Sequence, residues 1–352
     1  MIQNFQLSRP RSPGCDLESG LDFPEFFRLN TFKMRPILAI VINTFMEIIR
    51  QPLYFILLAV GSVMILTLGN LYYFGFGDDA SLVKNTCLAW IWMNGVFGSV
   101  FFASNAVGRE IQTGAALTTL SKPISRITFI LAKFVGVALA LGLQSVLLTL
   151  NALLSSRMAF DAHGEPEWFA LGLFFVAIAL ALLLSGYFNF SLGKPFTESA
   201  TWNLTFAIVI AFLMINCMDR NQHWQAFGSG VDWRIAPAAF LVTLSIWVLA
   251  GLGVACSTRL DWIATLALCS GLFFAGIMSD YLLGRHVETS SWMRFLYGLT
   301  PNWQVFWMAD TLETTSKTIP LTYILEAVRY AASYLCGALA IAVALFDKRE
   351  LS

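Results

Sequence analysis

Charge is scarce in this chain. Of its 352 residues, 12% are Asp, Glu, Lys or Arg and 57% are hydrophobic, where a soluble domain carries roughly 25% charged residues. That balance excludes a soluble globular enzyme. Net charge is lacking too: 22 basic residues meet 22 acidic ones, so no basic field gathers DNA or RNA. Histidine is nearly absent, and His163, His223 and His286 fall in separate polar connections. They read as loop residues, with a metal site assembled from loops as the alternative. The six cysteines, Cys15, Cys87, Cys217, Cys256, Cys269 and Cys336, stand singly, mostly inside apolar runs. That spacing offers neither a disulfide framework nor a zinc site.

Nucleotide-binding machinery is missing as well. A Walker A loop needs G-x-x-x-x-G-K-[ST] so that successive amides cradle phosphates and the lysine reaches the terminal ones. The sole Gly-Lys, Gly193-Lys194, is followed by Pro195 and has Phe188 where the first glycine belongs. Paired carboxylates, a nucleophile with its base and a metal-ligand set are also missing from any one membrane depth, so no catalytic residues are expected.

What the chain does have is long apolar runs. About 20 apolar residues cross a hydrocarbon layer roughly 30 Å thick, and eight candidate spans follow at 53–76, 87–107, 127–153, 168–190, 203–218, 237–257, 262–281 and 323–346. The expected fold is an all-α, polytopic transmembrane helix bundle with both termini on one side. Six spans is the alternative, because 203–218 is short and it and 168–190 are the least secure pair. Trp168, Trp202, Trp233 and Trp262 mark segment ends, as indole rings prefer the headgroup layer. Residues 1–34 read as an uncleaved, partly disordered cytoplasmic tail. Residues 35–52 read as an amphipathic helix lying in the membrane surface, since Asn43, Glu47 and Arg50 share one helical stripe; an ordinary first span is the alternative. The transmembrane domain is 53–346 and the carboxyl terminus 347–352. With cytoplasmic termini, fourteen of the 22 Lys and Arg lie inside and eight outside, as the positive-inside rule favours.

Between two apolar runs, Gly108 to Arg126 reads GREIQTGAALTTLSKPISR. Ile111, Ala115, Leu117 and Leu120 make Arg109 to Leu120 a short amphipathic helix. Lys122-Pro123 ends it, Ser125 caps the next helix and Lys133 is expected to snorkel to the headgroups. The expected product is a rigid cytosolic hairpin over 108–126; a solvated turn with no partner is the alternative.

This segment resembles the cytoplasmic motif of type-2 ATP-binding-cassette (ABC) transporter permeases, in which a glutamate, a glycine four residues on, Ser-Lys-Pro and Ser-Arg precede a basic residue and the next span. Glu110, Gly114, Ser121, Lys122, Pro123, Ser125, Arg126 and Lys133 stand at those positions. The carboxyl-terminal GVACSTRLDWIATLALCSGLFFAGIMSDYL, PNWQVFWMAD and YILEAVRYAASYLCGALAIAVALFDKREL are similar to the last three spans of permeases of the multicopper-enzyme and nitrous-oxide-reductase maturation type, including the closing Phe-x-x-Arg-Glu-Leu at Phe346 to Leu351. Residues 155–236 add two apolar segments to the usual six-span pattern, which leaves the substrate open.

The resemblance implies a type-2 exporter-like permease with an amino-terminal in-plane helix, sited in the cell inner membrane. It implies two partners, a separate ABC ATPase subunit that binds ATP and Mg, and a second permease subunit, identical or different. This chain itself would hold no cofactor. Arg109, Glu110, Gly114, Ser121, Lys122, Pro123, Ser125 and Arg126 would form the hairpin that docks on the ATPase, and transport leans towards export. A non-transporting membrane anchor or assembly factor is the alternative, and an ion-coupled carrier a third.

Polar groups within the spans are few. Glu326 and Arg329, at i and i+3 in the first turns of the last helix, read as local neutralisation or as a gate. The amides Asn94, Asn105, Gln144, Asn151, Asn189 and Asn216 read as interhelical hydrogen-bond groups, or as the lining of a substrate path. Gly95 with Ser99 and Gly136 with Ala140 allow close helix approach and are candidates for a dimer face. The outer connection 282–320, rich in Trp, Phe and Tyr, reads as an interfacial or re-entrant element, with a packed hairpin or a lateral gate as alternatives.

Overall fold

A computed structural model describes residues 25–71, 79–112, 124–159, 167–220, 222–288, 290–312 and 318–348. Among these every regular element is helical, apart from an isolated bridge between Met218 and Trp224. Six helices are long and apolar enough to cross a membrane, and two further bent pairs pass the same test together. The chain is therefore a multi-pass membrane protein with six to eight spans.

Helix α1, Glu25–Ile49, starts ahead of the expected surface helix and holds Pro36 in its interior, where a missing N–H interrupts the ladder. A turn at Arg50 and Gln51 separates it from α2, Pro52–Leu68, at an angle of 62°; Pro52 suits the first helical position because its absent N–H would be unbonded there anyway. The helix stops well short of residue 76. Gly69 closes it against α4, where a Cβ would lie 2.6 Å from the Ser155 carbonyl oxygen.

Helix α3, Asp79–Ala103, runs on through a π-helical turn, Ser104–Arg109, into Glu110–Gln112. Helix α4, Arg126–Met158, is capped as expected by Ser125, whose Oγ accepts from the Thr128 amide at 3.1 Å. Helices α5, Trp168–Leu192, and α6, Phe196–Asn216, form an antiparallel hairpin. Gly193 makes the turn, with φ +64°, a left-handed conformation that costs glycine nothing. The candidate at 203–218 gains a turn and more upstream, because Thr197, Glu198 and Ser199 are helical yet too polar to register as apolar span.

Helix α7, Ile235–Ser257, is the centre of the bundle: 78% of its most apolar stretch is buried, against 17% for the last helix. Helix α8, Trp262–Ile277, is capped by Asp261 and bends by 67° into Ser279–His286. The outer connection continues through α9, Ser291–Leu299, and two 3-10 turns, Trp303–Phe306 and Ala309–Leu312, before α10, Leu321–Asp347.

Ion pairs and hydrogen bonds between helix ends fix an up-and-down order. Arg50 with Glu198, Lys133 with Glu110, and Arg126 with Asp347 gather the ends of α1, α6, α3, α4 and α10 at one end of the bundle. Lys84 with Asp232, and Arg157 with Glu167, gather the other ends of α3, α7, α4 and α5. The start of α2 and the end of α10 thus lie on the same side. The close-approach glycines serve this internal packing. Gly95 abuts Ile246 of α7, Gly136 abuts Thr44 of α1, and the Ala140 carbonyl accepts from Tyr54 Oη at 3.1 Å. Those positions are therefore occupied within the chain and leave no dimer face there.

Candidate functional site

The end of the bundle that carries the 108–126 segment is built around a buried ammonium. Lys133 lies seven residues into α4, on the face turned towards α1 and the end of α3. Its Nζ is 2.5 Å from Glu110 Oε1 and 3.9 Å from Glu47 Oε2, and its side chain is 2% exposed. The Phe129 ring lies 5.9 Å away. The lysine therefore does not snorkel to the headgroups. It turns inward because two carboxylates meet it there, and an uncompensated buried ammonium would cost several kcal/mol.

Each carboxylate arrives by a different route. Glu47 is on the expected polar stripe of α1, about one turn beyond the Thr44 contact with α4. Glu110 follows the π-helical turn, whose wider winding shifts its direction relative to a continuous α-helix. Gly108 within that turn packs on Ser257, with a Cβ position 3.4 Å from the Ser257 carbonyl oxygen. Glu110 Oε2 has no hydrogen-bond partner among the described residues.

Around this triad a collar of cations ties the same end together. Arg126 Nη1 donates to the carbonyls of Asp347 at 2.8 Å and Phe346 at 3.3 Å, and Arg259 Nε donates to Leu345 O at 3.1 Å. Cations at the unbonded carbonyls of a helix C-terminus are favourable. The Phe129 and Phe346 rings stack beneath them at 5.7 Å. Arg50 pairs with Glu198 at 3.1 Å. Of the sequence-derived hairpin residues, Glu110, Ser125 and Arg126 are thus anchored, and Arg109 is exposed. Gly114, Ser121, Lys122 and Pro123 lie outside the described residues, as does most of the amphipathic helix expected over Arg109 to Leu120.

The opposite end holds two ion-pair clusters. Arg157 Nη2 donates to Glu167 Oε1 at 2.8 Å, with both side chains about 5% exposed or less, and its Nη1 donates to Ile215 O. One guanidinium so joins the ends of α4 and α6 to the start of α5. Their positions 10 and 58 residues apart carry no local pattern that could have revealed this.

Asp232, in the connection outside the spans, accepts from Lys84 at 2.7 Å and from Arg234 at 2.6 Å. Burial alone would raise its carboxyl; the hydrogen bonds from Arg234 and Lys84 outweigh burial and hold it well below the usual carboxylate range. A depressed folded-state value means that the stabilisation is full above the unfolded value, about pH 4, and is lost as pH falls through the folded one. The thermal midpoint in detergent is expected to drop between pH 4 and pH 2, and Asp232→Asn should flatten that part of the profile. An identical acid slope in both proteins rules the linkage out.

Glu326 and Arg329 sit at this second end, both exposed, and no salt bridge within 4.0 Å joins them among the described residues. Of the amides, Asn151 bridges α4 to Ser62 of α2 at 2.9 Å, while Asn94 and Asn189 bond within their own helix or turn. Gln144 and Asn216 are buried with no side-chain partner among the described residues. The outer connection is largely a packed element. Trp307 stacks on Trp92 of α3 at 5.3 Å, Trp303 and Phe306 are buried, and Asp280 accepts from Tyr297 at 2.6 Å and Asn302 at 2.9 Å. Trp292 and Phe295 remain on the outside. No cluster of three His, Cys, Asp or Glu among the described residues is placed to hold a metal ion.

Neither protein-family models nor curated proteins give a match to this chain.

Proposed function

We propose that this chain is the membrane-spanning permease subunit of an ATP-binding-cassette transporter, exporting a substrate across the inner membrane with ATP hydrolysed on a separate subunit. The observation that carries this reading is the Glu47–Lys133–Glu110 triad. It clamps the two described flanks of residues 113–123, the end of α3 and the start of α4, onto α1. A force applied between flanks so rooted is passed to both spans together. In this reading α1 lies in the cytoplasmic membrane surface, Arg109, Glu110 and the segment up to Arg126 meet the ATPase, and both chain termini are cytoplasmic. ATP and Mg stay on the partner, so the chain contributes coupling and a path but no bond-breaking step. ATP-driven closure of the partner pushes on the 108–126 segment, and the push passes through the π-helical turn and α4 to the central α7, shifting the bundle between two access states.

Two measurements test the reading. Ser121→Cys in intact cells is expected to resist a membrane-impermeant maleimide until the membrane is permeabilised. Full-length chain purified in mild detergent is expected to bring down a nucleotide-hydrolysing subunit, whose substrate-stimulated activity falls in Glu110→Arg although membrane insertion is normal. Labelling from outside, or a chain that purifies without any ATPase, overturns the proposal and favours a non-transporting anchor.

A further inference from the structure

The turn between α5 and α6 borders a cavity in which charge and aromatic surface meet. It measures about 360 Å³ and is bounded by the Phe188 and Trp202 rings and by Lys194, Glu198, Ser199 and Asn203. Gly193 turns the chain so that Lys194 stands beside Phe188, with Nζ 5.7 Å from the ring centroid. Among the described residues no carboxylate comes within 4.0 Å of that ammonium. Glu198, the acid on the wall, is already engaged, because Arg50 at the end of α1 meets both of its oxygens at 3.1 Å. Two cations against one anion leave the cavity net positive. Asn203 is held by its own donation to Ser185 Oγ at 2.9 Å, and Ser185 donates in turn to Ala181 O at 2.6 Å. That leaves Asn203 Oδ1 as an acceptor, one turn along the helix from the Ser199 hydroxyl.

We propose that this cavity binds the headgroup of an anionic phospholipid, a phosphodiester carrying a hydroxylated glycerol. The phosphate meets Lys194 Nζ, and headgroup hydroxyls donate to Asn203 Oδ1. Position argues for a lipid. An indole near a helix end marks the headgroup layer, and further from the turn the hairpin exposes Leu184, Phe206 and Ile210, the kind of surface acyl chains lie against. Basic pockets between membrane helices take anionic headgroups. Charge argues against a zwitterionic lipid, because a choline or ethanolamine cation would find the carboxylate on the wall occupied by Arg50. The cavity also adjoins the joint between α6 and α1. There Arg50 pairs with Glu198, and the Thr197 and Thr201 hydroxyls donate to the carbonyls of Arg50 and Ile49. A lipid bound beside that joint fastens the α5–α6 hairpin to the bundle. None of these residues belongs to the segment assigned to ATPase coupling, so the site stands independently of the permease reading.

Full-length chain, delipidated in a non-ionic detergent, tests this by native mass spectrometry and thermal unfolding with added phosphatidylglycerol or phosphatidylcholine. Phosphatidylglycerol is expected to bind about fivefold more tightly, the worth of one lysine at an anionic headgroup, and to raise the thermal midpoint further. Lys194→Gln should abolish that preference. Glu198→Gln is expected to increase it, because Arg50 is then free to meet the phosphate, and a merely misfolded variant would not gain affinity. Equal binding of the two lipids, a preference that survives in Lys194→Gln, or one that weakens in Glu198→Gln overturns the proposal. Inorganic phosphate that reproduces the midpoint shift of phosphatidylglycerol overturns it as well, since the cavity would then be an anion site without need of a lipid.

Discussion

Lys133→Ala is expected to destabilise the folded chain by about 3 kcal/mol or more, the usual cost of stranding one partner of a buried pair. Its effect should exceed that of either acid. Glu110→Gln leaves Lys133 with Glu47 at 3.9 Å, and Glu47→Gln leaves the shorter contact to Glu110 intact. The order Lys133→Ala, Glu110→Gln, Glu47→Gln follows also from exposure, because the Glu47 carboxylate is 37% exposed and solvent screens it. Replacing the pair together by K133M/E110L removes charge and counter-charge at once and should recover most of the loss, as apolar substitutes for buried ion pairs commonly do. Unfolding in mixed micelles, followed by tryptophan fluorescence as SDS is titrated, reads the series. A single-variant loss below about 1 kcal/mol would mean that the triad behaves as a surface pair, and the anchoring of the α3 and α4 ends to α1 would lose its basis. Under the proposed permease function the double variant separates stability from coupling: it should fold, yet respond weakly to the proposed ATPase partner, since the flanks of 113–123 are no longer tied to α1.

Arg157→Ala should cost at least as much, about 3–5 kcal/mol, because its pair with Glu167 is the more enclosed of the two. The guanidinium has a second task, the donation to the Ile215 carbonyl, so the apolar double variant R157M/E167L should recover less than K133M/E110L does. An orphaned buried carbonyl retains a penalty of about 1–3 kcal/mol. The damage should be local as well as global. With the staple gone, protease accessibility or hydrogen exchange is expected to rise first in the α5–α6 hairpin, while α7, the most enclosed of the long helices, stays protected. Exchange rising uniformly along the chain would show that Arg157 does not govern the docking of that hairpin.

The two variants also mark where sequence reading reached and where it stopped. Apolar run length gave the helices of the bundle, and it located the ends of α4 and α7 to within a few residues, because hydrocarbon thickness and helix rise leave little freedom. Where polar residues are helical, run length falls short: α6 begins about two turns ahead of its apolar run, and α2 ends at Leu68 although the run is expected to reach 76. Capping by Ser125 was legible because it is a contact over three residues. Lys133 was misdirected for the converse reason. Snorkelling is the default for a lone lysine near a span end, and the two acids that overrule it lie 23 residues upstream and on a helix earlier still.

By itself the sequence determined that this is an all-helical, multi-pass chain with polar connections in fixed places, since every backbone group in a bilayer must be satisfied within its own segment. Which charges are partnered was decided only by tertiary structure. Glu110 finds Lys133, Arg157 finds Glu167 and the α6 end, and Glu326 and Arg329 are left facing outward, because partner choice depends on which helix faces meet, and pairings across tens of residues leave no periodic trace in the chain.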